Sequence, residues 1–120
     1  MKKIILVFII FVSIISFSNS ESKKFTSDNK LHIEELMAKD WKYGGEGLPV
    51  LNLKITEENK KYYGIITTEN GKILSKQRLK VFKKFLLQDE VGYCYGYDIK
   101  LNKMAVVNPE DMTMIFVSYD

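Results

Sequence analysis

Residues 75–88 read SKQRLKVFKKFLLQ, Ser75 to Gln88, and two periodicities compete in them. On a helix, Leu79, Phe82, Phe85 and Leu86 form one stripe with Lys80, Lys83, Lys84 and Gln88 largely opposite. Ser75 would cap the first turn, and Leu74 could staple onto Leu79. On a strand, Leu79, Val81, Phe85 and Leu87 alternate, but Phe82, Lys83 and Leu86 break the alternation. The spacing predicts a helix over 75–88. That reading places a second helix in a chain whose remaining patterns are mostly sheet.

Upstream, Val50 to Thr56 alternates cleanly: Leu51, Leu53 and Ile55 face one way, Asn52, Lys54 and Thr56 the other. Glu57 to Lys60 reads as a polar turn, and Lys61 to Thr68, rich in Tyr, Ile and Thr, as the next strand. Asn70-Gly71 predicts a two-residue type I′ hairpin, since both residues tolerate positive φ. Glu69 would then face Lys72. Before these strands, residues 28–39 (DNKLHIEELMAK) predict a short helix capped by Ser27 or Asp28, with Ile33, Leu36 and Met37 on one side.

Downstream, Val91 to Ile99 is the clearest strand. Val91, Tyr93, Tyr95, Tyr97 and Ile99 point one way; Gly92, Cys94, Gly96 and Asp98 point the other. Met104 to Val107 returns, Asn108-Pro109-Glu110-Asp111 turns, and Met112 to Tyr119 is the last strand. Short connections favour hairpins over parallel crossovers. The expected fold class is α+β: an antiparallel sheet of five to six strands, arranged as a meander, with one or two covering helices.

The chain opens Met1-Lys2-Lys3, followed by an apolar run from Ile4 to Ile15 broken only by Ser13, then Ser16, Ser18, Asn19 and Ser20. This is the order of a secretory signal, with small residues placed for cleavage before Glu21. The run is shorter than the roughly 20 apolar residues that span a bilayer, so no stable membrane anchor is expected after cleavage. The expected organisation is a signal peptide over 1–20 and one small exported domain over 21–120, periplasmic or secreted. Without Lys2 and Lys3 the domain has 16 cations and 15 anions, a net charge of +1, which gives no electrostatic footprint for nucleic acid. Cys94 is the one cysteine. It can form no internal disulfide, so stability must come from packing; an odd cysteine in an exported chain also allows a homodimer through Cys94.

No catalytic constellation is visible. His32 is the single histidine, and nothing in the sequence brings it to Cys94 or a serine. The carboxylates occur as neighbours, Glu34-Glu35, Glu57-Glu58, Asp89-Glu90 and Glu110-Asp111, and sequence neighbours rarely face each other across a cleft; most read as solvated charge at turns or element ends. Cys and His are too few for a zinc site built from them. Gly44-Gly45-Glu46-Gly47 precedes Pro49 and a strand, so it is not a phosphate loop, which needs a helix after it. No metal or cofactor is expected. The feature with the clearest binding chemistry is the row Tyr93, Tyr95, Tyr97, with Trp41 near the first strand: each ring offers an apolar body and a polar tip for a sugar or a small apolar ligand. The other reading of the row is core. Arg78 to Phe85 interleaves cations with large apolar groups, which suits an amphipathic surface or a core-facing stripe with a solvated Lys face.

Trp41 after a short helix, followed by antiparallel hairpins and the pair Gly64-Ile65, resembles small lipocalin-like barrels. The resemblance implies a barrel as the alternative fold and a carrier of a small apolar ligand as the alternative function. Lys39 stands where that family has Gly two residues before the Trp, and the chain is short for eight full strands; no binding residue is carried over. The functional expectation is a small non-enzymatic exported binding or interaction protein. It would act on an unknown protein or small ligand through the tyrosine row or through an exposed sheet edge such as 112–119, an edge that could also pair two copies. An envelope hydrolase with an unrecognised site is the remaining reading.

Overall fold

Lys83 and Lys84 take positive φ, 53° and 70°, and the chain reverses there, in the middle of 75–88. The computed structural model describes residues 23–45 and 47–119; the signal stretch expected over 1–20 lies outside them. Instead of a helix, 75–88 contributes the greater part of strand β4 (Ile73–Phe82) and all of β5 (Leu86–Gln88), paired Val81 to Leu87 and Phe82 to Leu86. The residues that made the helical stripe are divided between two faces. Leu79 belongs to one apolar cluster, while Phe82, Phe85 and Leu86 belong to another. Both faces of β5 are buried, and that produces the breaks in strand alternation.

The α+β expectation is therefore overturned. The remaining strands are β1 (Trp41–Gly44), β2 (Val50–Glu58), β3 (Lys61–Thr68), β6 (Cys94–Asp98), β7 (Lys103–Val107) and β8 (Met114–Val117), and the one helix among the described residues is α1 (Ile33–Met37). Eight antiparallel strands pair strictly in chain order from β1 to β8. The sheet curls almost shut: Lys42 bridges Tyr119, with the Tyr119 N–H donating to the Lys42 carbonyl at 2.9 Å. The lipocalin-like barrel, the alternative reading, fits this topology. Five of the eight strands have only three to five residues, which is how so short a chain completes the circuit.

Register sets what points inward. Trp41 faces Leu53, Leu53 faces Ile66, Leu87 faces Tyr95, Tyr95 faces Val106, and Val106 faces Phe116. With Leu36, Tyr43, Leu79 and Met104, these side chains fill the interior. The helix is shorter than expected and has no side-chain cap; His32 precedes it in the left-handed region. Its one fully buried side chain, Leu36, reaches the interior cluster, and the Leu36 carbonyl accepts the Trp41 Nε1–H at 2.9 Å.

A second apolar cluster lies on the outside of β5–β8 under the segment 23–26. There Phe25 packs with Leu86, Cys94, Ala105, Val107 and Met114. The segment is tied at both ends. Met114 donates to the Lys23 carbonyl and Phe25 to the Met112 carbonyl, each at 2.8 Å. Beyond Phe25, the Thr26 N–H reaches the fully buried Asp98 carboxylate, also at 2.8 Å. Gly96 makes the approach possible: a Cβ there would lie 2.6 Å from the Phe25 ring and 2.8 Å from Leu86.

Turn chemistry also departs from expectation. The two-residue turn with two positive-φ residues is Asn59-Lys60, since Glu58 pairs with Lys61. At Asn70-Gly71 the loop is three residues long: the Thr68 N–H bonds the Lys72 carbonyl, and Gly71 takes φ 86°. The β3–β4 register shifts between Ile66 and Thr67.

Candidate functional site

The tyrosine row faces into the barrel. Tyr95 is fully buried, and its hydroxyl donates to Asp89 Oδ2 at 2.9 Å. The other oxygen of that carboxylate, Oδ1, accepts three backbone N–H groups, from Val91 and Gly92 at 3.0 Å and from Tyr93 at 2.9 Å. The loop after β5 is thus wound around the side chain of its first residue. Burial raises the Asp89 carboxyl above its ordinary range, against the lowering effect of these four bonds. Burial likewise raises the Tyr43, Tyr93 and Tyr95 hydroxyls, and the nearby Asp89 charge adds to each shift. Gln77 completes the polar set from β4, accepting the Glu90 N–H at 2.9 Å. The space left between Ser75, Gln77, Asp89, Tyr95 and the neighbouring apolar side chains is about 10 Å³, roughly the room one water needs.

Tyr97 and Trp41 stand toward the helix. Their rings are 6.4 Å apart, and Tyr97 lies 5.5 Å from the His32 ring. Trp41 is buried, with the Lys39 ammonium 4.7 Å from its ring centre. The structure gives His32 carboxylate partners: Asp28 at 2.8 and 2.9 Å from Nε2, and Glu35 at 3.7 Å from Nδ1. Its hydrogen bond holds the Asp28 carboxyl below the usual range. Cys94 lies on the opposite face of β6, in the cluster under Phe25, so the fold does not bring it to His32. Burial pushes its thiol up to about 11, which suits a packed group rather than a nucleophile.

The four proposed contact residues, Tyr93, Tyr95, Tyr97 and Trp41, thus share the interior and its helix end; a ligand role for them concerns the inside of the barrel. The edge of 112–119 is engaged near both ends, by Lys23 and by Lys42. Outside, an open polar groove of about 520 Å³ runs past Lys42, Asn52, Thr67 and Tyr119. Next to it lies the outer face of β2–β4. Lys54, Ile65 and Lys76 form one cross-strand row there, and Thr56, Tyr63 and Arg78 the next. Two features were missed in the sequence. Asp89 lay hidden in a pair of turn carboxylates, though an Asp followed by Glu-Val-Gly is a local signal for such a wound loop. The cationic rows become visible only once three strands are aligned.

Among the described residues, no three His, Cys, Asp or Glu side chains are grouped to hold a metal ion, and no helix is long and apolar enough to cross a membrane. Comparison with protein-family models, curated proteins and solved structures finds no match to this chain.

Proposed function

We propose that the chain is a small exported interaction protein that works without chemistry of its own, from the outside of a filled barrel. The packing of the interior carries this reading. Tyr43, Tyr95, Leu36, Met104 and Val106 are all buried to within a percent of complete, and the space beside Ser75, Gln77, Asp89 and Tyr95 is about 10 Å³. A pocket for a small ligand needs some 300–1,000 Å³. An apolar cargo would have to displace side chains that hold the barrel together, including the tyrosine bonded to Asp89. Export rests on Lys2, Lys3 and the run from Ile4 to Ile15.

Fractionation of cells expressing the tagged chain, combined with native mass spectrometry of the purified product, tests both parts. The expected product is found outside the cytoplasm, lacks about twenty N-terminal residues, and has the mass of polypeptide alone. A co-purifying apolar molecule would return the carrier reading, and a full-length cytosolic product would remove the export reading. A pull-down from envelope extract should recover one stoichiometric protein.

A further inference from the structure

The two halves of the barrel wall differ on the outside. Over β5–β8 the outer surface is apolar and covered by Phe25. Over β2–β4 it is cationic. Lys54, Lys61, Lys76 and Lys80 are exposed there, with Arg78 half-buried among them. Against these five stand Glu58, which pairs with Lys76 at 3.0 Å, and Glu90 at the β4 margin, whose carboxylate accepts the Arg78 backbone N–H at 2.9 Å. In an expected mature domain of net charge +1 this is a segregation of charge, not a general basicity.

Within the cations lies a flat apolar centre. Ile65 sits between Lys54 and Lys76, and Tyr63 lies two residues along the same face of β3, its ring 5.0 Å from the Lys76 ammonium. Thr56 Oγ1 and Arg78 Nε, on either side of Tyr63, have no hydrogen-bond partner. We propose that this face, centred on Tyr63, Ile65, Lys76 and Arg78, docks an acidic surface of a protein partner.

An apolar centre containing Tyr and Arg, enclosed by charged residues, is the anatomy of a protein interface. The cationic rim selects negative charge and steers the encounter. A lipid surface fits less well. Ile65 and Tyr63 are half-buried, and the face has one strongly exposed large apolar residue, Ile73, at its corner; insertion into a bilayer needs apolar side chains that protrude. A linear polyanion would need an unbroken cationic track, and here Ile65 and Glu58 interrupt it. The inference rests on the proposal of an interaction protein.

The test titrates the ¹⁵N-labelled full protein with a synthetic peptide in which leucines are flanked by glutamates. Phosphatidylglycerol vesicles and heparin serve as competing probes. Expected shifts cluster at Lys54, Tyr63, Ile65, Lys76 and Arg78, and binding weakens with added salt. The double variant Lys54→Glu/Lys76→Glu should lose about tenfold or more in affinity. Lys30→Glu/Lys100→Glu, two exposed lysines outside this face, should stay within about twofold. Exposed lysines carry little of the fold, so an unchanged melting temperature separates lost binding from lost structure. Equal losses in the two double variants, or binding of vesicles or heparin through this face without the peptide, would overturn the inference. A ligand found inside the barrel would instead remove the interaction-protein reading beneath it.

Discussion

The carboxylate of Asp89 gathers three backbone N–H groups on one oxygen and the Tyr95 hydroxyl on the other. It organises the loop between β5 and β6 and fixes a buried tyrosine. Asp89→Ala would leave those donors without their acceptor, and hydrogen bonds to a charged group are worth about 1.5–3 kcal/mol each, non-additively. A loss of about 3–4 kcal/mol in urea unfolding is expected. Asp89→Asn keeps one oxygen for the backbone donors and should cost under about 2 kcal/mol. The pH dependence has a definite sign. The folded carboxyl titrates above its ordinary value of 3.8 because burial outweighs its bonds. Folding therefore favours the protonated form, and this contribution is full below the unfolded value and lost as pH rises through the folded one. Wild type should gain on Asp89→Asn when unfolding is measured at pH 4 instead of pH 7. A change in the opposite direction would show that the hydrogen bonds outweigh desolvation. The local winding had a signal in Asp89-Glu90-Val91-Gly92, but the burial was not legible there, because burial of a turn carboxylate depends on strands that arrive from elsewhere.

At the scale of elements, the inward and outward sets of β2 and β6 were readable from alternation alone, and residues 61–68 are a strand as their composition suggests. The β4–β5 hairpin was not readable. Phe82, Phe85 and Leu86 are apolar because Phe25, some sixty residues away in sequence, covers them; Phe25 stacks on Phe85 at 6.1 Å. A tertiary contact thus wrote a helical spacing into a strand pair. Gly96 is the complementary signal, and its role can be measured. Gly96→Ala should cost about 1–3 kcal/mol as Phe25 is displaced, and Gly96→Ala combined with Phe25→Ala should lose less than the two single changes added together. Strict additivity would mean that Phe25 does not rest on Gly96. The turns give an opposite prediction. Lys60 holds φ 65° in a two-residue turn where Gly is the preferred second residue. A left-handed residue with a Cβ costs about 1–2 kcal/mol, partly offset by the entropy of glycine. Lys60→Gly should raise stability by about 0.5–1 kcal/mol, read as a rise in the urea midpoint at constant slope. A fall would mean that the lysine side chain contributes more than its backbone costs.

For the whole molecule the decisive fact is closure, and closure was hidden by strand length. A strand of three residues such as β5 leaves almost no periodic signal, so five or six strands were counted where the described residues form eight. The circuit is held unevenly. Strands β2 to β4 are eight to ten residues long and pair with one another over most of their length, whereas β1 and β8 have four residues each and meet at the bridge between Lys42 and Tyr119. The seam should be the first part to open, because it has the fewest ladder bonds to lose. A covalent bond placed there tests this. Antiparallel bridge partners have Cα atoms about 4.5–5.5 Å apart, within the range a disulfide spans. Lys42→Cys/Tyr119→Cys, in a Cys94→Ala background, would close a loop of about 80 residues and limit the unfolded chain by up to about 4 kcal/mol. If the seam governs opening, the oxidised protein should melt higher than its reduced form by the equivalent of about 2–4 kcal/mol, and amides of β1 and β8 should gain the most protection from hydrogen exchange. An oxidised form that melts no higher than the reduced one, with protection unchanged along β1, would place the weak point of the barrel elsewhere, with the β5 hairpin and its three-residue strand next in line.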